Sequence, residues 1–180
     1  MRSFSRLLLE YGGEGYENRT MNMSKPDWLS YKPSLGFDFP NLPYYQEGDL
    51  KLTQSMAIMR HVGRKFNLVG KTEQECARAD MILDQLMDFK GCLTDLVYNA
   101  GFSDELKSDW VEGKGKFAAW YAGGGLKGRL QALERFLLAG KGSWFAGKSL
   151  TFADFFAWEL LDQHRLLFKG CLEDFQGLKR

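Results

Sequence analysis

The rhythm of apolar positions along this chain changes once, near residue 70. Before that point the elements are short and mixed. Leu7, Leu8 and Leu9, followed by Gly12-Gly13, predict the end of a helix over residues 5–11. Residues 16–20 are expected to form a short strand. Residues 21–43 hold Asn22, Ser24, Pro26, Pro33, Gly36, Pro40 and Pro43, and read as a loop-rich stretch with one helical turn near Asp27-Trp28-Leu29. Residues 43–47 and 50–53 flank Gly48-Asp49 as the two strands of a hairpin. Ser55 then caps a helix over residues 56–66, where Ile58, Val62 and Phe66 recur every fourth position. Gly63 inside that helix costs about 1 kcal/mol relative to alanine.

After Gly70 the pattern stays helical. One long amphipathic run extends from residue 73 to about residue 98, with Met81, Leu83, Leu86, Met87, Leu93, Leu96 and Val97 as its apolar positions. A second helix is expected over residues 103–111 and a third over 126–138. Residues 117–125, apolar and then glycine-rich, fit no period. Thr151-Phe152-Ala153-Asp154 is a capping box that starts a helix carrying Phe155, Phe156, Trp158, Leu160 and Leu161. The expected organisation is a small mixed α/β domain over 1–66, a linker over 67–72 and an all-α domain over 73–180, with no internal repeat.

Composition narrows the function classes. At 180 residues the chain holds one domain or two small ones. Lys and Arg number 24 against 23 for Asp and Glu, a formal charge of +1, so nothing electrostatic points to nucleic acid or an anionic membrane. Hydrophobic residues at 44% and charged residues at 26% fit a globular protein. An aromatic share of 14% allows a large core or a flat apolar site. No apolar run approaches the roughly 20 residues of a membrane span. The triplet at residues 7–9 is too short for a signal-peptide core of about 7–15 apolar residues, and Glu10 follows it directly. Cys76, Cys92 and Cys171 form no CxxC pair, and neither His61 nor His164 has a second ligand beside it, so neither zinc nor a disulfide scaffold is expected. A reducing compartment, most simply the cytoplasm, follows.

Most candidates for chemistry read as structure. His61 and His164 lie in amphipathic helices and suit a surface or core-edge place better than catalysis, and the cysteines suit inert buried thiols. GxSxG, P-loop and GxGxxG motifs are absent, and the glycines at 123–125 read as a linker rather than a phosphate loop. One constellation is richer. Asn41-Leu42-Pro43 enters a strand, and Thr53-Gln54-Ser55 joins a strand to a helix N-terminus. A cis Leu42–Pro43 bond would leave the Leu42 N–H and C=O free to pair with an extended peptide. Ser55 and the first backbone amides of the helix can hold a carboxylate. Together they suit a short anionic peptide; the alternative is an ordinary cis-proline turn and an ordinary N-cap.

Longer segments carry a resemblance. Leu7-Leu8-Leu9-Glu10-Tyr11, Trp28-Leu29, Leu35-Gly36-Phe37-Asp38-Phe39-Pro40-Asn41-Leu42-Pro43-Tyr44, Lys51-Leu52-Thr53-Gln54-Ser55, Trp144-Phe145-Ala146-Gly147, Thr151-Phe152-Ala153-Asp154-Phe155 and Cys171-Leu172 resemble, in this order, a mu-class cytosolic glutathione transferase. The resemblance runs from Arg6 to about Lys179. It implies an α+β two-domain fold, with a thioredoxin-like domain followed by an all-α domain, working as a homodimer. It also implies a detoxifying enzyme that adds glutathione, its co-substrate, to small hydrophobic electrophiles without a metal. By that resemblance Trp28 and Lys32 would hold the glycine carboxylate of glutathione, and Leu42, helped by Asn41, would pair with its cysteine backbone. Gln54 and Ser55 would seat the γ-glutamyl end, with Asp88 reaching across from the partner subunit. Tyr98 would line the electrophile pocket and donate a proton, Phe39 would insert into the partner's helical domain, and Arg60 would lie on the dimer face.

The sequence departs from that family in three places. The glutathione nucleophile is a thiolate, and the family favours it with a tyrosine hydroxyl on the first strand, in a Tyr-Trp-x-Ile-(Arg/Lys)-Gly segment. No such segment is present, Met1 matches a position already inside the first helix, and Tyr11 and Tyr16 follow that helix. The thioredoxin-like domain is therefore expected to lack its first strand and the catalytic tyrosine. The match also ends at Gly177-Leu178-Lys179-Arg180, where the family continues, and the stretch around 111–125 is longer than the family needs. These departures imply an incomplete, alternatively spliced or mispredicted product. They leave a second expectation open, a non-catalytic glutathione-binding or heterodimerising relative.

Overall fold

The structure, a computed structural model, describes residues 4–99, 101–118 and 124–179. It divides into two compact units, Met1–Leu68 and Val69–Arg180. No helix among the described residues is long and apolar enough to cross a membrane.

In the first unit, α1 (Phe4–Gly12) packs on α3 (Ser55–Lys65). Phe4, Leu8 and Leu9 of α1 and Ile58, Met59 and Val62 of α3 are its buried apolar side chains on these helices. A Cβ on Gly12 would run into the Phe66 ring, so the glycine lets the end of α1 lie against that side chain. The expected hairpin forms: β1 (Tyr44–Glu47) and β2 (Leu50–Thr53) pair antiparallel, with Tyr45 opposite Leu52 and Gln46 opposite Lys51. It is the sheet of the described residues.

Three expectations for this unit fail, each for a local reason. Residues 16–20 form no strand. They are exposed throughout and have no partner ladder, and a lone extended segment gains little without one. The Tyr16 hydroxyl instead donates to Glu10 (2.8 Å). The single helical turn near Trp28 is a full helix, α2 (Lys25–Tyr31), which runs on into a 3-10 turn, Lys32–Leu35. Ser24 caps it by accepting the Asp27 N–H (3.3 Å), and Pro26 sits in the first turn, where its missing N–H costs nothing. Ser55 does not cap α3: Gln54 is the N-cap, and no side chain bonds there.

The second unit holds α4 (Glu73–Thr94), which continues as a π-helical turn, Asp95–Asn99, then α5 (Asp104–Glu112), α6 (Gly125–Ala139) and α7 (Phe152–Leu167). Thr72 and Ser103 cap α4 and α5 by accepting the Glu75 N–H (3.1 Å) and the Leu106 N–H (3.3 Å). Helix α4 packs on α7, and Leu83, Leu86, Phe89, Leu93 and Leu96 are buried as the period requires. Met81 is not; at 54% exposure it lies on the solvent side. The stretch that fitted no period ends α5 with a 3-10 turn, Gly115–Phe117, and starts α6 at Gly125; residues 119–123 lie outside the described residues. A Cβ on Gly125 would meet the Gly113 N and the Trp110 O, so α5 and α6 touch there through backbone.

The capping box is present and extends further than expected. Asp154, buried, accepts the Thr151 N–H (2.8 Å), the Thr151 hydroxyl (2.9 Å) and, through its other oxygen, the Phe145 N–H (2.9 Å). Arg78 of α4 donates to the carbonyls of Phe136 (3.0 Å) and Phe145 (3.2 Å) with its guanidinium over the Phe136 ring. Glu75 accepts the Lys148 N–H (3.1 Å), so the loop between α6 and α7 is held by α4 from one side and Asp154 from the other. Replacing Asp154 by alanine strands the Thr151 and Phe145 N–H groups. It is expected to cost about 3 kcal/mol, read as a lowered urea midpoint at unchanged m-value.

His164 is core, not core-edge. It is fully buried and stacked on Phe89 at 4.3 Å, and its Nδ1 donates to the Leu160 carbonyl (2.8 Å). Burial, aided by the Arg129 charge, pushes its pKa down from 6.5 to about 4. The unfolded chain therefore takes up a proton between pH 6.5 and pH 4 that the native protein does not. The stability associated with neutral His164 is complete above pH 6.5 and lost as pH falls toward 4, by about 3 kcal/mol. Urea titrations of wild type and His164→Phe at pH 7 and pH 5 check this; the mutant is expected to lose much of the pH slope.

Candidate functional site

In the first unit three short segments bring polar groups to the surface, and each is shaped by local backbone chemistry. Thr53 ends β2 and Ser55 begins α3, so the chain must turn from strand to helix at one residue, Gln54. Gln54 does this at φ 68 and ψ 109, a conformation costly for a residue with a side chain, on the order of 1–3 kcal/mol. The helix begins with the Ile58 N–H donating to the Gln54 carbonyl (3.1 Å). With no side-chain cap, the amides of the first turn lack the side-chain acceptor that usually serves them, beside the half-buried Ser55.

The second segment is Asn41-Leu42-Pro43. The Leu42–Pro43 bond is cis, as the sequence allowed. The Leu42 N–H is not free: it donates to Asn41 Oδ1 (3.0 Å). An adjacent asparagine side chain reaches that amide easily, and an extended ligand would have to take its place. The Leu42 side chain is 45% exposed.

The third is α2 with its 3-10 extension. The Lys32 N–H donates to the Trp28 carbonyl, so the two residues stand one turn apart on one face, both half-buried. An indole N–H and an ammonium are thus carried side by side. Lys51 of β2 ties the end of this arm to the hairpin. Its Nζ lies 3.5 Å from both the Leu35 and Gly36 carbonyls and 5.8 Å over the Phe37 ring, while Phe37 packs on Tyr44 of β1 at 5.0 Å. Gly36 makes the turn at φ 68. Sequence reasoning missed this role of Lys51. The signal available was a lone cation between two leucines on a strand.

The other expected residues are placed as follows. Phe39 is exposed at 73%, and Arg60 is half-buried on α3. Asp88, exposed on α4, and Tyr98, 68% exposed on the π-helical turn, belong to the second unit. The structure therefore groups Trp28 with Lys32, Asn41 with Leu42 and Gln54 with Ser55.

Two tyrosines of the first unit are committed elsewhere. The Tyr16 hydroxyl donates to Glu10 and the Tyr45 hydroxyl to Glu47 (2.8 Å); the Glu10 carboxylate holds the Tyr16 phenol above its ordinary range, and burial together with Glu47 does the same for Tyr45. Lys65 in turn bonds Glu14 (2.9 Å) and Glu47, joining the loop after α1 to the hairpin turn. Cys76, Cys92 and Cys171 are unpaired thiols, and burial pushes Cys92 and Cys171 up. Among the described residues no cluster of three or more His, Cys, Asp or Glu could hold a metal ion.

Comparison with known proteins agrees along the chain. The glutathione S-transferase N-terminal domain family matches residues 1–64, and the glutathione S-transferase C-terminal domain family matches residues 106–180. The chain is 43% identical, over 97% of its length, to glutathione S-transferase B of Cavia porcellus and covers 76% of that protein. It is 42% identical to glutathione S-transferase Mu 1 of Oryctolagus cuniculus, again over 97% of this chain and 76% of the relative. With glutathione S-transferase Mu 3 of Homo sapiens the identity is 41%, over 97% and 73%. The solved structure of a pi-class glutathione S-transferase from Onchocerca volvulus superimposes with a TM-score of 0.78 at 28% identity, over 97% of this chain and 77% of that one. That of the glutathione S-transferase from Ascaris lumbricoides gives 0.75 at 31% identity, over 98% and 81%. The architecture is accordingly a thioredoxin-like first unit and an all-α second unit. The chain belongs to the mu class of the glutathione S-transferase family.

Proposed function

We propose that glutathione lies across the three surface segments of the first unit, and that the protein works as a cytoplasmic homodimer in detoxification. The reaction is that of the family: the glutathione thiolate attacks an electrophilic carbon, and a carbon–sulfur bond forms as a leaving group departs with its bonding pair or, in an addition, as the π electrons move to the neighbouring atom and take up a proton. The observation that carries the site assignment is the uncapped start of α3, where Gln54 holds a strained backbone and the first amides have no side-chain acceptor. Such a terminus favours an anion. It suits the γ-glutamyl carboxylate, with Gln54 and Ser55 beside it and Asp88 of the partner subunit near the γ-glutamyl amine.

The rest of the tripeptide follows from the other two segments. Trp28 and Lys32 present an indole N–H and a cation to the glycine carboxylate. Leu42 pairs with the central cysteine once the ligand displaces Asn41 Oδ1 from its N–H, and Asn41 is then free to bond the ligand itself. Tyr98, exposed, lines the electrophile pocket, and its hydroxyl donates a proton where the reaction leaves a developing anion.

The dimer reading rests on Phe39. An aromatic ring exposed at 73% on a surface loop loses its cost when a partner covers it, and Arg60 supplies a polar contact on the same unit. The unpaired thiols suit a reducing compartment.

Three measurements test this. Gln54→Ala, titrated by tryptophan fluorescence, and Trp28→Ala, titrated by calorimetry because it removes the reporter, are each expected to weaken glutathione binding about tenfold or more. Unchanged affinity in either would sink the assignment of that residue. Phe39→Ser is expected to shift the protein from dimer to monomer in sedimentation velocity at micromolar concentration; a wild-type profile would remove Phe39 from the interface.

A further inference from the structure

The arm that carries Trp28 and Lys32 has a weak claim to its position. No residue of α2 or of the 3-10 turn after it is buried, so no apolar core holds it. Its hydrogen bonds through Ser24, Ser30 and Ser34 are internal, to Asp27, Pro26 and Tyr31. The tie to the rest of the unit comes from β2. Lys51 Nζ reaches the Leu35 and Gly36 carbonyls at 3.5 Å each and sits over Phe37, whose ring packs on Tyr44 of the hairpin. One cation thus joins the C-terminal end of the arm to the strand pair that leads into Gln54 and Ser55.

We propose that Lys51 is a positioning residue for glutathione, holding the Trp28–Lys32 arm at the separation from the hairpin that the tripeptide spans. This rests on the glutathione seat described above. Segments with few buried contacts open at small free-energy cost, and a ligand's apparent affinity falls with the fraction of protein in the competent arrangement. Without Lys51 the arm samples other positions, and glutathione must restore the right one on binding. Saturating glutathione does restore it, so the turnover of the bound complex is preserved.

The test compares the full-length protein with Lys51→Met, which keeps the stem but removes the donors and the charge, and with Lys51→Arg. Glutathione Kd is read by calorimetry, and steady-state kinetics use a chromogenic chloronitroarene as electrophile. Lys51→Met is expected to raise the glutathione Kd and KM about tenfold. kcat and the KM for the electrophile at saturating glutathione are expected to stay within about twofold and the thermal midpoint within about 2 °C, as for other exposed positions. Lys51→Arg is expected to recover most of the affinity.

A second comparison separates positioning from a direct charge effect. If Lys51 acts through the arm, the penalties of Lys51→Met and Lys32→Ala combine to less than their sum, because both disable the same seat. A fully additive pair, or wild-type affinity in Lys51→Met, overturns the proposal. Lys32→Ala and Trp28→Ala alone distinguish the two levels. If neither weakens binding, the seat itself is wrong and this proposal falls with it; if they weaken it while Lys51→Met does not, the positioning role alone is wrong.

Discussion

The first unit depends on one backbone constraint, the passage from β2 to α3 within a single residue. A strand and a helix can be joined so tightly only if one residue leaves both standard basins, and Gln54 does so at φ 68. A glycine would adopt that conformation at lower cost. With glutamine there, the strained backbone comes with an amide side chain displayed at the helix start. The same geometry explains why Ser55 does not cap: once Gln54 supplies the first helical carbonyl, Ser55 is already inside the helix. A helix end left without its own cap favours an anion from outside.

Around that junction the outer segments of the unit are held by cations more than by area. Its buried side chains lie mainly on α1 and α3, while the loop after α1, the hairpin turn and the α2 arm have little apolar surface to bury. Lys65 joins the loop to the hairpin turn through Glu14 and Glu47, and Lys51 joins the arm to the strand. Exposed pairs of this kind contribute little each to global stability. Their effect is local, since they select one arrangement among several of nearly equal energy. That is the property a binding surface needs when its parts come from separate segments.

What was legible in the sequence was what is decided locally. The hairpin is specified by Gly48-Asp49 between two runs of strand residues, and the start of α7 by Thr151 and Asp154 three positions apart; both form as read. The long helix is specified by its period, which also placed Leu83, Leu86 and Leu93 in the core. Met81 shows the limit, because a helix tolerates a methionine on the solvent side and the pattern does not mark it. The strand at 16–20 failed because a strand needs a neighbour, which no local pattern supplies. The φ of Gln54 and the reach of Lys51 to residues 35 and 36 are consequences of chain closure. The resemblance named the candidate segments; it carried no information on how those segments are held.

The two units divide the physical work. In the second, Asp154 and His164 are buried polar groups whose bonds run mainly to backbone, and the His164 ring stacks on Phe89. Losing a partner there strands donors in a dry interior, so such changes are read in stability. In the first, the residues proposed to meet glutathione are exposed or half-buried, so losing one costs little until a ligand arrives. Binding energy can then be spent on ordering, and a tripeptide that touches all three segments gains most from segments already aligned. On the seat proposed above, the strained turn at Gln54 and the tie through Lys51 are two forms of one device: each would pre-arrange a segment before glutathione is bound.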